Sequence, residues 1–164
     1  MITLLNDKIV KAASVVDKND KRTYVKYITI KGSWMYITDS KILFAFPAED
    51  IPEGLYTIVR KTKKLVEIVM AEELNDYLPD FKAAMCNDDY KYCGVDMVGE
   101  RAEVVAYHMA REHSACYDFK YVSLIVGMEL THFLQFKGNR EGLQVMEDDF
   151  KMVLMPIIVE DYIK

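Results

Sequence analysis

Hydrophobic residues return at three- and four-residue steps at the start of the chain: Leu5, Ile9, Ala12, Ala13 and Val16. That period places them on one face of a helix, with Lys8, Lys11 and Lys18 on another. Asn6 can accept a hydrogen bond from an amide that the first helical turn leaves unpaired, so it is the predicted N-cap. The polar run Asp17–Arg22 ends the helix. From Tyr24 the pattern changes. Tyr24–Ile30 and Trp34–Thr38 are rich in β-branched and aromatic residues and flank Lys31-Gly32-Ser33, which predicts a hairpin. Thr38-Asp39-Ser40 is a turn signal, and Lys41–Phe46 is a third strand ending at Pro47. The opening segment is α-β-β-β.

The C-terminal stretch repeats that order. Asp118 is the predicted N-cap of a helix through Met128 that turns Tyr121, Val122, Ile125 and Met128 inward. Thr131–Lys137 and Leu143–Glu147 form a hairpin across Gly138–Gly142, and Phe150–Val159 reads as a mostly buried strand. Pro156 belongs near its end or on an edge, because proline cannot donate to a ladder. The two units agree in pattern while their sequences are barely similar. Between them, Gly54–Met70 reads either as two strands, Leu55–Arg60 and Leu65–Val69, or as a strand followed by a helix over Thr62–Glu73. The alternating β-branched residues favour the hairpin. Pro79 breaks any helix before it, and Tyr90–Met97 with Ala102–Met109 has the look of a further hairpin around Gly99. The expected fold class is α+β: two α-β-β-β half-domains with antiparallel sheets, 1–47 and 111–164, and an inserted segment 48–110.

With 164 residues, 51% of them hydrophobic, and only seven Gly and four Pro, the chain suits a single domain with a sizeable core. The net charge of −5 argues against a surface that grips phosphates everywhere, although a local basic stripe stays compatible with it. Cys86, Cys93 and Cys116 are irregularly spaced and read as free thiols of a reducing cytoplasm. No apolar run is long enough to span a membrane. His108, His113 and Cys116 fall short of the four ligands of a structural zinc site, so no metal is expected. Asp88-Asp89 and Asp148-Asp149 read as turns, and no nucleotide or hydrolase motif occurs, so neither a cofactor nor an enzyme is expected.

Three stretches carry a more specific signal. ITIKGSWMYITDSKILFAFP (Ile28–Pro47) holds Thr38-Asp39-Ser40 and Leu43 where a hairpin runs into an A-T-D-G-x-R-L-A strand. YLPDFKAAM (Tyr77–Met85) is similar to a Y/F-P-D-Y-R-R-V linker. Tyr117–Ile157 runs from a helix through two strands to a V-M-P-M-like end. In this order they resemble the DNA sliding clamp of the bacterial DNA polymerase III β-subunit type. The departures are Ser40 for glycine, Ile42 for a basic residue, Ala83 and Ala84 in the linker, and the extension Ile158–Lys164. A clamp subunit has three such domains, and this chain has room for about one, a shortening that would suit a phage or mobile element.

The resemblance implies a non-enzymatic processivity factor that surrounds double-stranded DNA without reading its sequence, its helices meeting phosphates through basic side chains. Those residues would be Lys8, Lys11, Lys18, Lys21, Arg22 and Lys120, and ring closure would require a homo-oligomer. The other reading of the lysines is a solvated helix face. The resemblance also implies an apolar pocket for peptide motifs of DNA polymerase or other clamp-binding proteins, formed by Leu43, Pro79, Val153 and Met155. On their own, Leu43, Val153 and Met155 read equally as core strand residues. An interaction module that keeps the fold without binding DNA is the alternative function.

Overall fold

The computed structural model of the chain describes residues 1–85, 91–92, 101–128, 135–136, 142–147 and 149–157. Its strands are β1 (Ile2–Leu4), β2 (Ile28–Lys31), β3 (Trp34–Thr38), β4 (Ile42–Pro47), β5 (Gly54–Lys61), β6 (Val66–Glu72), β7 (Lys91–Tyr92), β8 (Gln135–Phe136), β9 (Leu143–Glu147) and β10 (Phe150–Leu154). The helices are α1 (Asp7–Ala12), α2 (Thr23–Lys26), α3 (Phe81–Met85), α4 (Ala102–His113) and α5 (Phe119–Gly127). All ten strands join one antiparallel sheet in the order β1-β6-β5-β2-β3-β4-β10-β9-β8-β7. The two halves meet where β10 pairs with β4, Met152 opposite Phe44 and Val153 opposite Leu43.

Side chains alternate between the two faces of a strand, and here they divide cleanly. Met35 and Ile37 of β3, Ile42, Phe44 and Phe46 of β4, and Met152 and Leu154 of β10 enter the main core. There they meet Ile9 and Val10 of α1, Val105 and Met109 of α4, and Tyr121, Val122 and Ile125 of α5. The residues between them, Tyr36, Ala45 and Val153, face the other way and form a smaller cluster with Phe81 and Met85 of α3. Phe150 is fully buried at the junction of the halves, its ring 6.1 Å from Phe44 and 5.2 Å from Phe46.

Both predicted caps are present: Asn6 accepts from the Lys8 and Ile9 amides, and Asp118 from that of Lys120. The Gly54–Glu72 region is the hairpin β5–β6 and extends the N-terminal half of the sheet. It lies beside β2 in the sheet.

Several boundaries differ from the sequence reading. The first α-helix stops at Ala12 and tightens into a 3-10 turn over Ala13–Val15. Thr23–Lys26 is a helical turn, so the strand expected from Tyr24 begins at Ile28. The largest correction is Ala102–Met109, expected as a strand and found as part of the twelve-residue helix α4. Val105 and Met109, four apart, are its buried residues, and Ala, Glu, Met and Arg favour a helix. Of the expected partner strand Tyr90–Met97, only Lys91–Tyr92 lies within the described residues. Gln135-Phe136 pairs with β9 as the C-terminal hairpin requires, while the rest of Thr131–Lys137 lies outside the described residues. The last strand ends at Leu154, ahead of Pro156, and the Ile157 amide then donates to the Cys116 carbonyl at 2.7 Å. β1 was not anticipated at all. Among the described residues no helix is long and apolar enough to cross a membrane.

Candidate functional site

Leu43, Pro79, Val153 and Met155, scattered over the sequence, line one cavity of about 490 Å³ beside the β3–β4 turn. Each is brought there by a separate constraint. Leu43 and Val153 are cross-strand partners, so their side chains share a face. Met155 continues from β10 and is fixed by its amide, which donates to the Lys41 carbonyl at 2.8 Å. Pro79 rides on a linker anchored by Phe81, whose buried ring stacks on Tyr36 with centroids 4.5 Å apart. Asp80 accepts from the Ala83 amide at 3.2 Å and so starts α3 on the far side of the proline.

The wall beside Leu43 is the β3–β4 turn. Asp39 Oδ1 accepts from the amides of Lys41 and Ile42 at 2.9 and 3.1 Å. Thr38 Oγ1 donates to the Ile42 carbonyl at 2.7 Å and accepts from the Ser40 amide at 3.0 Å. Ser40 has φ +81°, a left-handed conformation that glycine adopts without cost. This is the position where the clamp pattern carries glycine. Arg22 holds the strained serine: Nη1 donates to Ser40 Oγ at 2.7 Å, while Nε and Nη2 donate to the two carboxylate oxygens of Asp20 at 2.9 and 2.8 Å. That pairing lowers the Asp20 carboxyl to about 2 and raises Arg22 further. The guanidinium also lies 5.8 Å from the ring centroid of Tyr24, which lines the same cavity. Tyr24, Ser40 and Phe81 were not singled out as site residues in the sequence. Ser40 and Phe81 carried a signal there only as members of the Thr38-Asp39-Ser40 and Tyr77–Met85 motifs.

A second cavity of about 870 Å³ lies across the turn, between the end of the first helix and α5, and Lys41 lines both. Here the Tyr121 hydroxyl donates to Asp39 Oδ2 in a short hydrogen bond. Burial, and then the Asp39 carboxylate, push the Tyr121 phenol well above its usual range.

The structure does not gather the six cationic residues into one free stripe. Lys8 pairs with Glu147 at 3.2 Å and lies 5.5 Å from the Phe150 ring centroid. Lys11 pairs with Asp7 at 3.0 Å and donates to the Gly127 carbonyl at the end of α5 at 2.6 Å. Lys18 donates to the Ile58 carbonyl at 2.6 Å. Arg22 lines the second cavity and is held there by Asp20 and Ser40. Lys21 and Lys120 are exposed, and Lys120 lies over the Tyr121 ring. His108 and His113 are neighbours, ring centroids 5.5 Å apart. Among the described residues, no group of three or more His, Cys, Asp or Glu is placed to hold a metal.

No protein-family model matches the sequence, and no curated protein matches it. Solved structures do. The chain superposes on the DNA polymerase sliding clamp of Bacillus subtilis with a TM-score of 0.57 at 13% identity, covering 96% of this chain and 64% of that one. Caulobacter crescentus pol III beta gives 0.55 at 14%, covering 96% and 65%. The Pseudomonas aeruginosa sliding clamp gives 0.51 at 10%, covering 96% and 66%. The chain has the sliding-clamp fold, and spans about two thirds of the length of the clamp chains that it matches.

Proposed function

We propose that this chain is a non-catalytic clamp-type accessory protein of DNA replication or repair. It works in the cytoplasm by taking a short apolar peptide motif of a DNA polymerase, or of another DNA-processing protein, into the cavity of Leu43, Pro79, Val153 and Met155. The convergence of these four residues carries the reading. Affinity in such a pocket comes from one or two fully desolvated anchor side chains, and an exposed methionine at the rim adapts to varied partners. A labelled peptide with a leucine-phenylalanine anchor tests it. Leu43→Asp, with an unchanged circular dichroism spectrum, is expected to weaken binding at least about tenfold, as loss of a hot spot does. A wild-type protein that does not bind the peptide, or a Leu43→Asp variant that binds it equally well, would defeat the reading.

Non-specific contact with double-stranded DNA is the second reading. Its support is the fold, together with the exposed Lys21 and Lys120. Lys8, Lys11, Lys18 and Arg22 would contribute only after exchanging their internal partners for phosphates. Encirclement also requires a homo-oligomer, or assembly with other clamp domains. Light scattering and duplex titration at two salt concentrations separate the readings. A monomer indifferent to DNA leaves a clamp-fold interaction module, a regulator or decoy for clamp-binding peptides.

A further inference from the structure

We infer that the peptide held in the apolar cavity carries acidic residues beside its hydrophobic anchor, and that Lys41 and Lys120 receive them in the second cavity, across the Thr38–Lys41 turn. The inference rests on the peptide-docking reading and names the class of peptide. The two cavities share Lys41 and are divided by a single turn. An extended segment advances roughly 3.3 Å per residue, so a few residues carry a ligand from one cavity into the other.

The charges lining the second cavity then choose its occupant. Its carboxylates are already engaged: Asp39 by two amides and the Tyr121 hydroxyl, Asp20 by Arg22, and Asp17 by the Asn19 amide at 2.9 Å. Two of its cations are engaged too, Lys18 by a backbone carbonyl and Arg22 by Asp20 and Ser40. Lys41 and Lys120 are exposed, and neither ammonium has an oxygen partner among the described residues. Hydrogen bonds to neutral amides leave those carboxylates charged, but the lining sets four cations (Lys18, Arg22, Lys41, Lys120) against three carboxylates (Asp17, Asp20, Asp39), so its net charge is positive and the unpaired part of it lies on Lys41 and Lys120. Lys120 stands in the first turn of α5, two residues after the Asp118 cap that accepts from its amide.

The test uses four labelled peptides with one leucine-phenylalanine anchor, flanked on one side or the other by four glutamates or by four glutamines. Wild-type protein is expected to prefer the glutamate form of one of the two orders, by about two- to fivefold for each ammonium engaged, the range for solvent-exposed pairs. The preference should shrink as salt is raised. Lys41→Gln with Lys120→Gln should bring the glutamate and glutamine forms to equal affinity, and Lys64→Gln, on the β5–β6 turn, should retain the preference. Equal binding of glutamate and glutamine forms by wild type, or a preference that survives in the double variant, overturns the inference and leaves the apolar cavity standing. Failure of every peptide to bind wild type takes down the docking reading and this inference together.

Discussion

Phe150 stands where the N-terminal and C-terminal strands share a core, and truncating it tests whether the two halves form a single cooperative unit. The ring is fully buried against Phe44 and Phe46, with the Lys8 ammonium over its face. Phe150→Ala deletes all three contacts in a closely packed site, and such truncations cost about 3–5 kcal/mol. At roughly 2–4 °C per kcal/mol for a chain of this size, the midpoint should fall by about 6–20 °C. Phe150→Leu keeps most of the volume and should cost less than about 1.5 kcal/mol. Urea unfolding followed by circular dichroism measures both, and the loss should appear as a lower midpoint at constant slope. The reasoning fails if Phe150→Ala costs under about 1 kcal/mol, well below the range for a buried aromatic ring. It fails equally if wild type unfolds in two steps of which the substitution moves only one, because the junction would then not be a shared core.

Thr29 Oγ1 is buried with no hydrogen-bond partner among the described residues. Thr29→Val removes that cost at equal shape and should raise stability by about 1 kcal/mol, read as a higher thermal midpoint. Asp20, held near 2 by Arg22 against its ordinary 3.8, should show its depressed midpoint in carbon-detected NMR, and Arg22→Gln should return it towards 3.8. Because the folded value is the depressed one, the latch contributes in full above about pH 4 and is lost as the pH falls towards 2. Gly32 and Ser33 both have positive φ, +58° and +64°, the conformation of a two-residue hairpin turn that favours Asn-Gly. Gly32→Asn with Ser33→Gly should therefore stabilise the β2–β3 hairpin by about 0.5–1 kcal/mol, again seen in the thermal midpoint.

What was legible in the sequence was local. Asn6 and Asp118 announce their helices because a capping side chain acts on amides two or three residues away. The alternation in Trp34–Thr38 and Lys41–Phe46 announces strands with two different faces. The cavity was approached through the order of three motifs, and Ser40 shows why one of them favours glycine, since its φ is positive. Ala102–Met109 was read as half of a hairpin around Gly99, although its buried residues, Val105 and Met109, recur at the helical step of four. The fate of the lysines was out of reach altogether. Lys8 finds Glu147 139 positions away, and Lys11 finds a carbonyl at the end of a helix 116 positions away, separations that no spacing rule spans.

β10, the last of the described strands, lies in the interior of the sheet, between β4 and β9. During synthesis β4 therefore emerges early, with Phe44 and Phe46 on its core face, and waits for its neighbour until Leu154 has left the ribosome. An open apolar edge of this kind is a template for pairing with other chains. A nascent chain stalled short of Phe150 would thus lack the middle of its sheet rather than its tip, and quality control would meet it as an aggregation-prone half.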